Sequence, residues 1–157
     1  MAGMTTTGTE ELSKMFEELG KEAAHIAARA LYEGAAVAAA AYQAATASIK
    51  TEKFHYAKEG ETRLPSPEEK ALLFRKTGIS KFKQDASEAQ TLIGVAEGYG
   101  MVAGQLRAFK QVANGINSGT SYMVKQPVYR KAANACKGAA QAAMIRAAEA
   151  EIKKITG

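Results

Sequence analysis

The chain has 157 residues, with no tryptophan, few other aromatic residues, three prolines and one cysteine. A single cysteine, Cys136, cannot form an internal disulfide, which fits a reducing compartment. We expect it to be a small buried hydrophobic residue rather than a reactive thiol. Alanine is abundant and buries little area, so packing must come from close approach of helices or from neighbouring subunits. The length suits a single domain over residues 1–157.

Acidic residues are missing from one long interval, because no Asp or Glu occurs between Glu97 and Glu149. Residues 1–52 hold seven acids and four bases, whereas residues 53–157 hold nine acids and seventeen bases. A surface built from the acid-free interval must be positive, and it would face DNA, an acidic partner or solvent alone. The candidate residues for this surface are Arg107, Lys110, Lys125, Lys131, Lys137 and Arg146.

Signals for catalysis and metal binding are weak. His25 is expected on the charged face of the first helix, and His55 near Glu59 and Glu61 does not make a metal-ligand pattern. The glycines of residues 94–104 match neither a dinucleotide-binding motif nor a P-loop, and they predict a flexible transition from hairpin to loop. We therefore expect no enzyme activity, cofactor, metal or small-molecule substrate.

The N-terminal third predicts one long helix, preceded by disorder over residues 1–9. Thr9 can cap this helix, and apolar residues recur at spacings of three and four as far as about Ile49. Residues 34–49 carry no charge and are mostly alanine, which predicts burial on all sides. A membrane span would need about 20 strongly apolar residues, so we expect no membrane contact.

The middle of the chain predicts a loop over residues 50–66 and then a short helix. Ser66 and Glu69 have the spacing of a capping box around Pro67, and Gly78 can end the helix.

Two antiparallel strands are predicted next, over residues 79–83 and 91–96, with a turn at residues 85–88. A third strand or a short helix would occupy residues 106–113, and Asn114-Gly115 predicts a turn.

The C-terminal part predicts a polar loop followed by a long helix. Pro127 suits the first turn of a helix that runs from about Val128 to Thr156 and carries an alanine stripe. We predict an α+β fold in which two long Ala-rich helices pack together on a small antiparallel sheet, with a short extra helix between them. Residues 114–127 are the predicted docking loop, in which Gly119 takes positive φ.

A motif in this region resembles the C-terminal signature of phage tail-completion proteins. These are the neck or head–tail joining proteins grouped with the gene-ten product of a lambdoid phage. The matching residues are Gly119-Thr120-Ser121, Gln126-Pro127, Val128-Tyr129, Arg130 and Ala132-Ala133, with Thr77-Gly78 as an earlier feature. Two positions depart from the pattern: Asn117-Ser118 replaces an acidic and aromatic pair, and Lys131 replaces a proline.

The resemblance implies a structural virion protein that assembles in the host cytoplasm. It would form a ring, of six copies, at the head-proximal end of a phage tail, between the tail terminator or tube and the head connector. DNA passing through the lumen could make non-specific contact with the positive surface. The implied interface residues are Asn117, Ser118, Gly119, Thr120, Ser121, Gln126, Pro127 and Arg130, with Arg130 anchoring the loop by forked hydrogen bonds.

The alternative from the charge pattern is a small basic DNA-binding protein. Only the acid-free interval favours it, since no helix-turn-helix, zinc or aromatic RNA-platform signature accompanies that interval.

Overall fold

The structure is a computed structural model that describes residues 7–79, 83–84, 89–90 and 93–157. It has the predicted α+β architecture, with a long helix at each end. The elements in chain order are α1 (Thr7–Ala47), α2 (Pro67–Lys76), β1 (Thr77–Ile79), β2 (Lys83–Gln84), β3 (Ala89–Gln90), β4 (Ile93–Val95), β5 (Tyr99–Val102), β6 (Gln105–Ala108), α3 (Phe109–Ser118) and α4 (Val128–Thr156).

The two long helices pack side by side and run antiparallel. Near the start of α4, the Tyr129 ring stacks on Tyr42 with 5.6 Å between centroids. Near its end, Glu151 approaches His25 at 3.8 Å. Between these points Gly34 lies directly against Met144, so that an added Cβ would collide with it. Small residues therefore allow the close helix approach that the alanine stripes predict.

The ends of α1 differ from the prediction. The helix begins at Thr7, so Thr9 lies inside it and does not cap it, and residues 7–9 are helical although disorder was expected there. Residues 1–6 lie outside the described part. The helix ends at Ala47, and Ile49 turns back into the core with 2% exposure.

The capping box of α2 is confirmed. The Ser66 hydroxyl accepts a hydrogen bond from the Glu69 N–H at 3.2 Å, and the Glu69 carboxylate accepts one from the Ser66 N–H at 2.7 Å. The helix ends at Lys76, before Gly78, which belongs to strand β1.

The predicted antiparallel hairpin is present as β1 paired with β4, and β2 paired with β3. Gly78 lies opposite Gly94 in the register of the first pair. The expected turn at residues 85–88 lies outside the described residues.

A second hairpin, β5–β6, occupies the region in which a flexible loop was expected. Val102 pairs with Gln105, so Ala103 and Gly104 form a two-residue connection with φ values of 48° and 77°. Positive φ at both central positions is the geometry whose twist matches antiparallel strands. Gly104 shapes this turn, whereas Gly94 and Gly100 lie in strands, so the flexible-loop prediction is wrong.

A strand or a short helix was predicted over residues 106–113, and both are present there. Strand β6 ends at Ala108, and α3 starts at Phe109. The turn predicted at Asn114-Gly115 is wrong, since both residues lie inside α3. The reason is packing: α3 buries Phe109, Val112 and Ile116 on one face, and that burial outweighs the local turn preference. The docking loop predicted over residues 114–127 is therefore shortened to residues 119–127, which we call the connecting loop.

The main core lies where the C-terminal half of α1 meets α2, α3 and the start of α4. Its buried members are Ala45, Ile49, Leu73, Val112, Ala113, Ile116, Met123 and Tyr129. The first hairpin packs along α1, and α4 uses its small-residue face mainly on α1. No helix in the described part of the chain has the length and hydropathy to cross a membrane.

Candidate interface at the connecting loop

The connecting loop begins with a glycine in the conformation that the sequence predicts. Gly119 has φ +76°, and its N–H donates to the Gly115 carbonyl at 2.9 Å to close the end of α3. A Cβ at this position would lie 3.0 Å from the Lys125 Cβ and 3.3 Å from the Lys125 backbone. The positive φ and the nearby Lys125 therefore both favour glycine at position 119.

A tight turn follows Gly119. The Thr120 N–H donates to the Met123 carbonyl at 3.0 Å, and the Met123 N–H donates to the Thr120 hydroxyl at 3.0 Å. Met123 is 4% exposed and anchors the turn in the core. The loop is therefore ordered by the chain itself.

The loop also pairs with residues 50–66 through a bridge at Arg63. The Arg63 N–H donates to the Tyr122 carbonyl at 2.8 Å, and the Val124 N–H donates to the Arg63 carbonyl at 3.0 Å. These bonds form a parallel bridge between Arg63 and Met123. Two loops that are about 60 residues apart in sequence thus hold each other in place.

Gln126 clamps the end of the loop. Its side-chain amide donates to the Lys50 carbonyl at 3.0 Å and accepts from the Lys50 N–H at 2.9 Å. Its backbone N–H donates to the Ile116 carbonyl at 2.7 Å. This predicted interface residue is therefore committed to contacts inside the chain.

The start of α4 is capped from outside the helix. Pro127 is the N-cap residue of α4, one position before the first turn in which it was expected. Its side chain cannot cap the helix by a hydrogen bond. The Asn117 side-chain oxygen instead accepts a hydrogen bond from the Arg130 N–H at 3.3 Å. A free helix N–H thereby obtains a partner from the preceding helix.

The forked arginine of this region is Arg63, whereas the sequence predicted Arg130. The Arg130 side chain is exposed and makes no hydrogen bond or ion pair within the described chain. The two terminal nitrogens of Arg63 each donate to one oxygen of Glu69 at 2.8 Å. The sequence signal that could have found it is the position of Arg63 just before the capping box that contains Glu69.

The Arg63–Glu69 ion pair is buried, with side chains 3% and 0% exposed. Burial raises the pKa of the Glu69 carboxyl, but the hydrogen bonds from Arg63 and from the Ser66 N–H, with the charge of Arg63, bring it below its usual value. The hydrogen bond to Glu69 raises the pKa of Arg63 above its usual value. The Phe54 ring also covers the guanidinium, 4.9 Å from its centroid.

The outer side of the connecting loop is free for a partner. The exposed members of the loop are Thr120, Ser121, Tyr122, Val124 and Lys125, flanked by the exposed Ser118 at the end of α3 and Arg130 in the first turn of α4. They offer hydroxyls, two cations and two apolar groups. The hydrogen bonds described above hold the loop backbone that carries them. Asn117, Gly119, Gln126 and Pro127, which were also predicted to contact a partner, are half-buried and position the others.

The predicted basic residues do not form one continuous surface. Lys110 pairs with Glu97 at 2.7 Å. Arg107 is half-buried and donates to Gln105 at 3.0 Å. Along α4, the exposed Lys131 and Arg146 are close in angle, whereas Lys137 lies about 120° or more away from both.

The remaining candidates for catalysis or metal binding are the two histidines and the cysteine. His25 is exposed, as expected, and His55 is exposed too. Cys136 is half-buried, and its thiol lies 3.6 Å from the Ala133 carbonyl. No cluster of three or more His, Cys, Asp or Glu that could hold a metal is found in the residues that the structure describes.

A cleft of about 880 Å³ lies between the first hairpin, α3 and the start of α4. We call it the hairpin cleft. Its apolar lining includes Tyr42, Ile79, Ile93, Val95, Ala113 and Tyr129, and its basic residues are Arg75, Lys76 and Lys110.

Comparison with protein-family models, with curated proteins and with solved structures found no significant match for this chain.

Proposed function

We propose that this protein is a structural component of a phage or phage-like tail. It forms a ring at the head-proximal end of the tail and joins the tail terminator or tube to the head-side connector. It works by binding further copies of itself and neighbouring proteins, without catalysis. The signature residues of the connecting loop supply the resemblance on which the identity of the particle rests.

The observation that carries the proposal is where the apolar residues lie. Seven of the sixteen buried hydrophobic residues in the described part are alanines. Large apolar side chains are instead exposed by 49% to 68%: Leu12, Phe16, Tyr99, Met101 and Leu106. Exposed apolar surface of this kind is typical of proteins that bury it against partners. A subunit of a closed ring has such partners on two sides.

The second hairpin supports the same role. Met101 lies opposite Leu106 in the β5–β6 register, on the side of the hairpin that faces solvent. Gly100 and Val102, the residues on either side of Met101 in β5, point to the other side and face the core cluster around Phe109. The hairpin therefore presents an apolar outer face on a rigid support, as expected of a contact with another subunit.

The test is to express the protein with its neighbouring tail components and to image the particles. We expect density for this chain at the upper end of the tail, as a ring. Tails that are complete and carry no density for this chain at that end would contradict the proposal.

A second candidate function is non-specific DNA binding. The exposed Lys131 and Arg146, which are close in angle on α4 and lie in an interval without acidic residues, favour it. DNA affinity that falls steeply with rising salt would support it, because phosphate contacts release counterions. No binding to duplex DNA at low salt would eliminate it.

A further inference from the structure

The N-terminal end of α1 extends past the rest of the helix pair. His25 lies opposite Glu151, and α4 ends five residues later at Thr156, so α4 stops opposite about residue 20 of α1. Residues 7–19, which we call the overhang, therefore project by about 20 Å at 1.5 Å per residue.

The overhang has an apolar side and an acidic side. Leu12, Met15, Phe16 and Leu19 follow helical spacing and form one stripe, in which Leu12 is 49% and Phe16 63% exposed. Glu11 and Glu18 lie beside this stripe and are seven residues, or about two helical turns, apart. Residues 7–19 hold four acids and one base. Its partner should therefore be apolar with a basic rim.

The hairpin cleft has that chemistry. Tyr42, Val95 and Tyr129 give it an apolar interior, and Arg75, Lys76 and Lys110 give it cations. Among the described residues that line it, the one acidic residue is Glu97, which is bonded to Lys110.

The overhang cannot reach the cleft of its own chain. Tyr42, which lines the cleft, belongs to the same continuous helix and lies 29 residues from the middle of the overhang, or about 44 Å along the axis. The occupant must come from another molecule, and a second copy of this chain carries the complementary surface.

We propose that the overhang of one copy docks in the hairpin cleft of the next copy. The contact is head-to-tail, joins two different surfaces and leaves one of each free on every dimer, so that it propagates until a ring closes. It rests on the proposed function in one respect, since it supplies the subunit contact that the ring requires.

The test is disulfide trapping between two versions of the full-length chain, each with Cys136→Ser. One carries Ser13→Cys, an exposed overhang position beside the apolar stripe, and the other carries Asn114→Cys, an exposed residue of the cleft. Under mild oxidation we expect covalent heterodimers to form about tenfold faster or more than with Gln141→Cys, on the outer side of α4, because docking raises the local thiol concentration. Adding Phe16→Glu to the Ser13→Cys chain should reduce the rate to that of the control.

The proposal is overturned if the Ser13–Asn114 pair crosslinks no faster than the Ser13–Gln141 pair, or if Ser13 chains crosslink mainly to each other. This result is separable from the proposed function. Tail-end density without the crosslink would remove this contact alone, and the crosslink without tail-end density would remove the tail assignment alone.

Discussion

At the scale of single residues, the buried pair of Arg63 and Glu69 is the most demanding feature of the fold. Folding removes both charges from water, and the Arg63 guanidinium donates the two hydrogen bonds that the Glu69 carboxylate accepts. The pair also joins the loop at 50–66 to the first turn of α2, and the backbone of Arg63 holds the connecting loop. Losing either partner leaves an uncompensated buried charge.

We predict that Glu69→Gln lowers the free energy of unfolding by about 3–5 kcal/mol, because Arg63 loses its counter-charge. Urea denaturation followed by circular dichroism measures it. The control is Glu68→Gln, an exposed neighbour in the same turn, which should change stability by about 0.5 kcal/mol or less. Equal effects of the two variants would contradict the prediction.

The same pair predicts how stability depends on pH. The pKa of Glu69 in the folded chain lies below its usual value of 4.5. The folded state therefore gains stability above about pH 4.5, and this gain is lost as the pH falls through the folded pKa. Denaturation midpoints between pH 7 and pH 3 should fall less steeply for Glu69→Gln than for the native sequence. Parallel curves would show that other carboxyls set the acid limit.

Gly119 allows a third residue-scale prediction. Gly119→Val should cost roughly 1–3 kcal/mol of local strain at positive φ, leave the helices folded and block assembly. Gly60→Val is the matched control, because Gly60 has φ +79° but no atom within 4 Å of an added Cβ. We expect circular dichroism to be native-like for both variants and particle yield to fall only for Gly119→Val. A normal particle yield from Gly119→Val would refute a role for the connecting loop in assembly.

At the scale of elements, the contact between α1 and α4 depends on small residues at the crossing. A Cβ at Gly34 would lie 2.3 Å from the Met144 Cγ and 3.2 Å from the Ala140 carbonyl oxygen. A glycine inside a helix normally costs stability relative to alanine. Its presence here is explained by the space it leaves for α4.

We predict opposite effects for two glycine-to-alanine changes in these helices. Gly34→Ala should destabilise by about 1–3 kcal/mol, because overpacking outweighs the gain in helix propensity. Gly138→Ala should stabilise by about 0.5–1 kcal/mol, because no atom lies within 4 Å of its added Cβ. Thermal or urea unfolding measures both, and stabilisation by Gly34→Ala would mean that the two helices are farther apart than described.

The helices were predictable where one strong local signal acted alone. The capping box fixed the start of α2, and Pro127 with an unbroken run after it fixed α4 from Val128 to Thr156. The prediction failed where tertiary packing competed with local preference. Asn114-Gly115 became helical because α3 buries an apolar face, and the β5–β6 hairpin was missed because the glycines of residues 94–104 locally favour a loop.

At the scale of the whole molecule, the question is where the exposed apolar groups find partners. If copies bind one another, the melting temperature rises with protein concentration, because association stabilises the folded state by mass action. We predict such a rise for the native chain and a weaker one for Phe16→Glu. Ile145→Glu is the control, since Ile145 is 58% exposed on the outer side of α4 and outside the overhang. A melting temperature independent of concentration for the native chain would contradict self-association.

The sequence alone determined the long helices, the α2 cap, the first hairpin and the positive φ of Gly119, because each depends on residues close together in the chain. Only the tertiary structure decided which arginine forms the fork, what holds the connecting loop and which charges lie near each other. Arg63 meets Met123, and Gln126 meets Lys50, across distances in sequence that no local pattern encodes. The overhang arises in the same way, since its length depends on the register in which α4 packs against α1, and that register is set by side chains in contact.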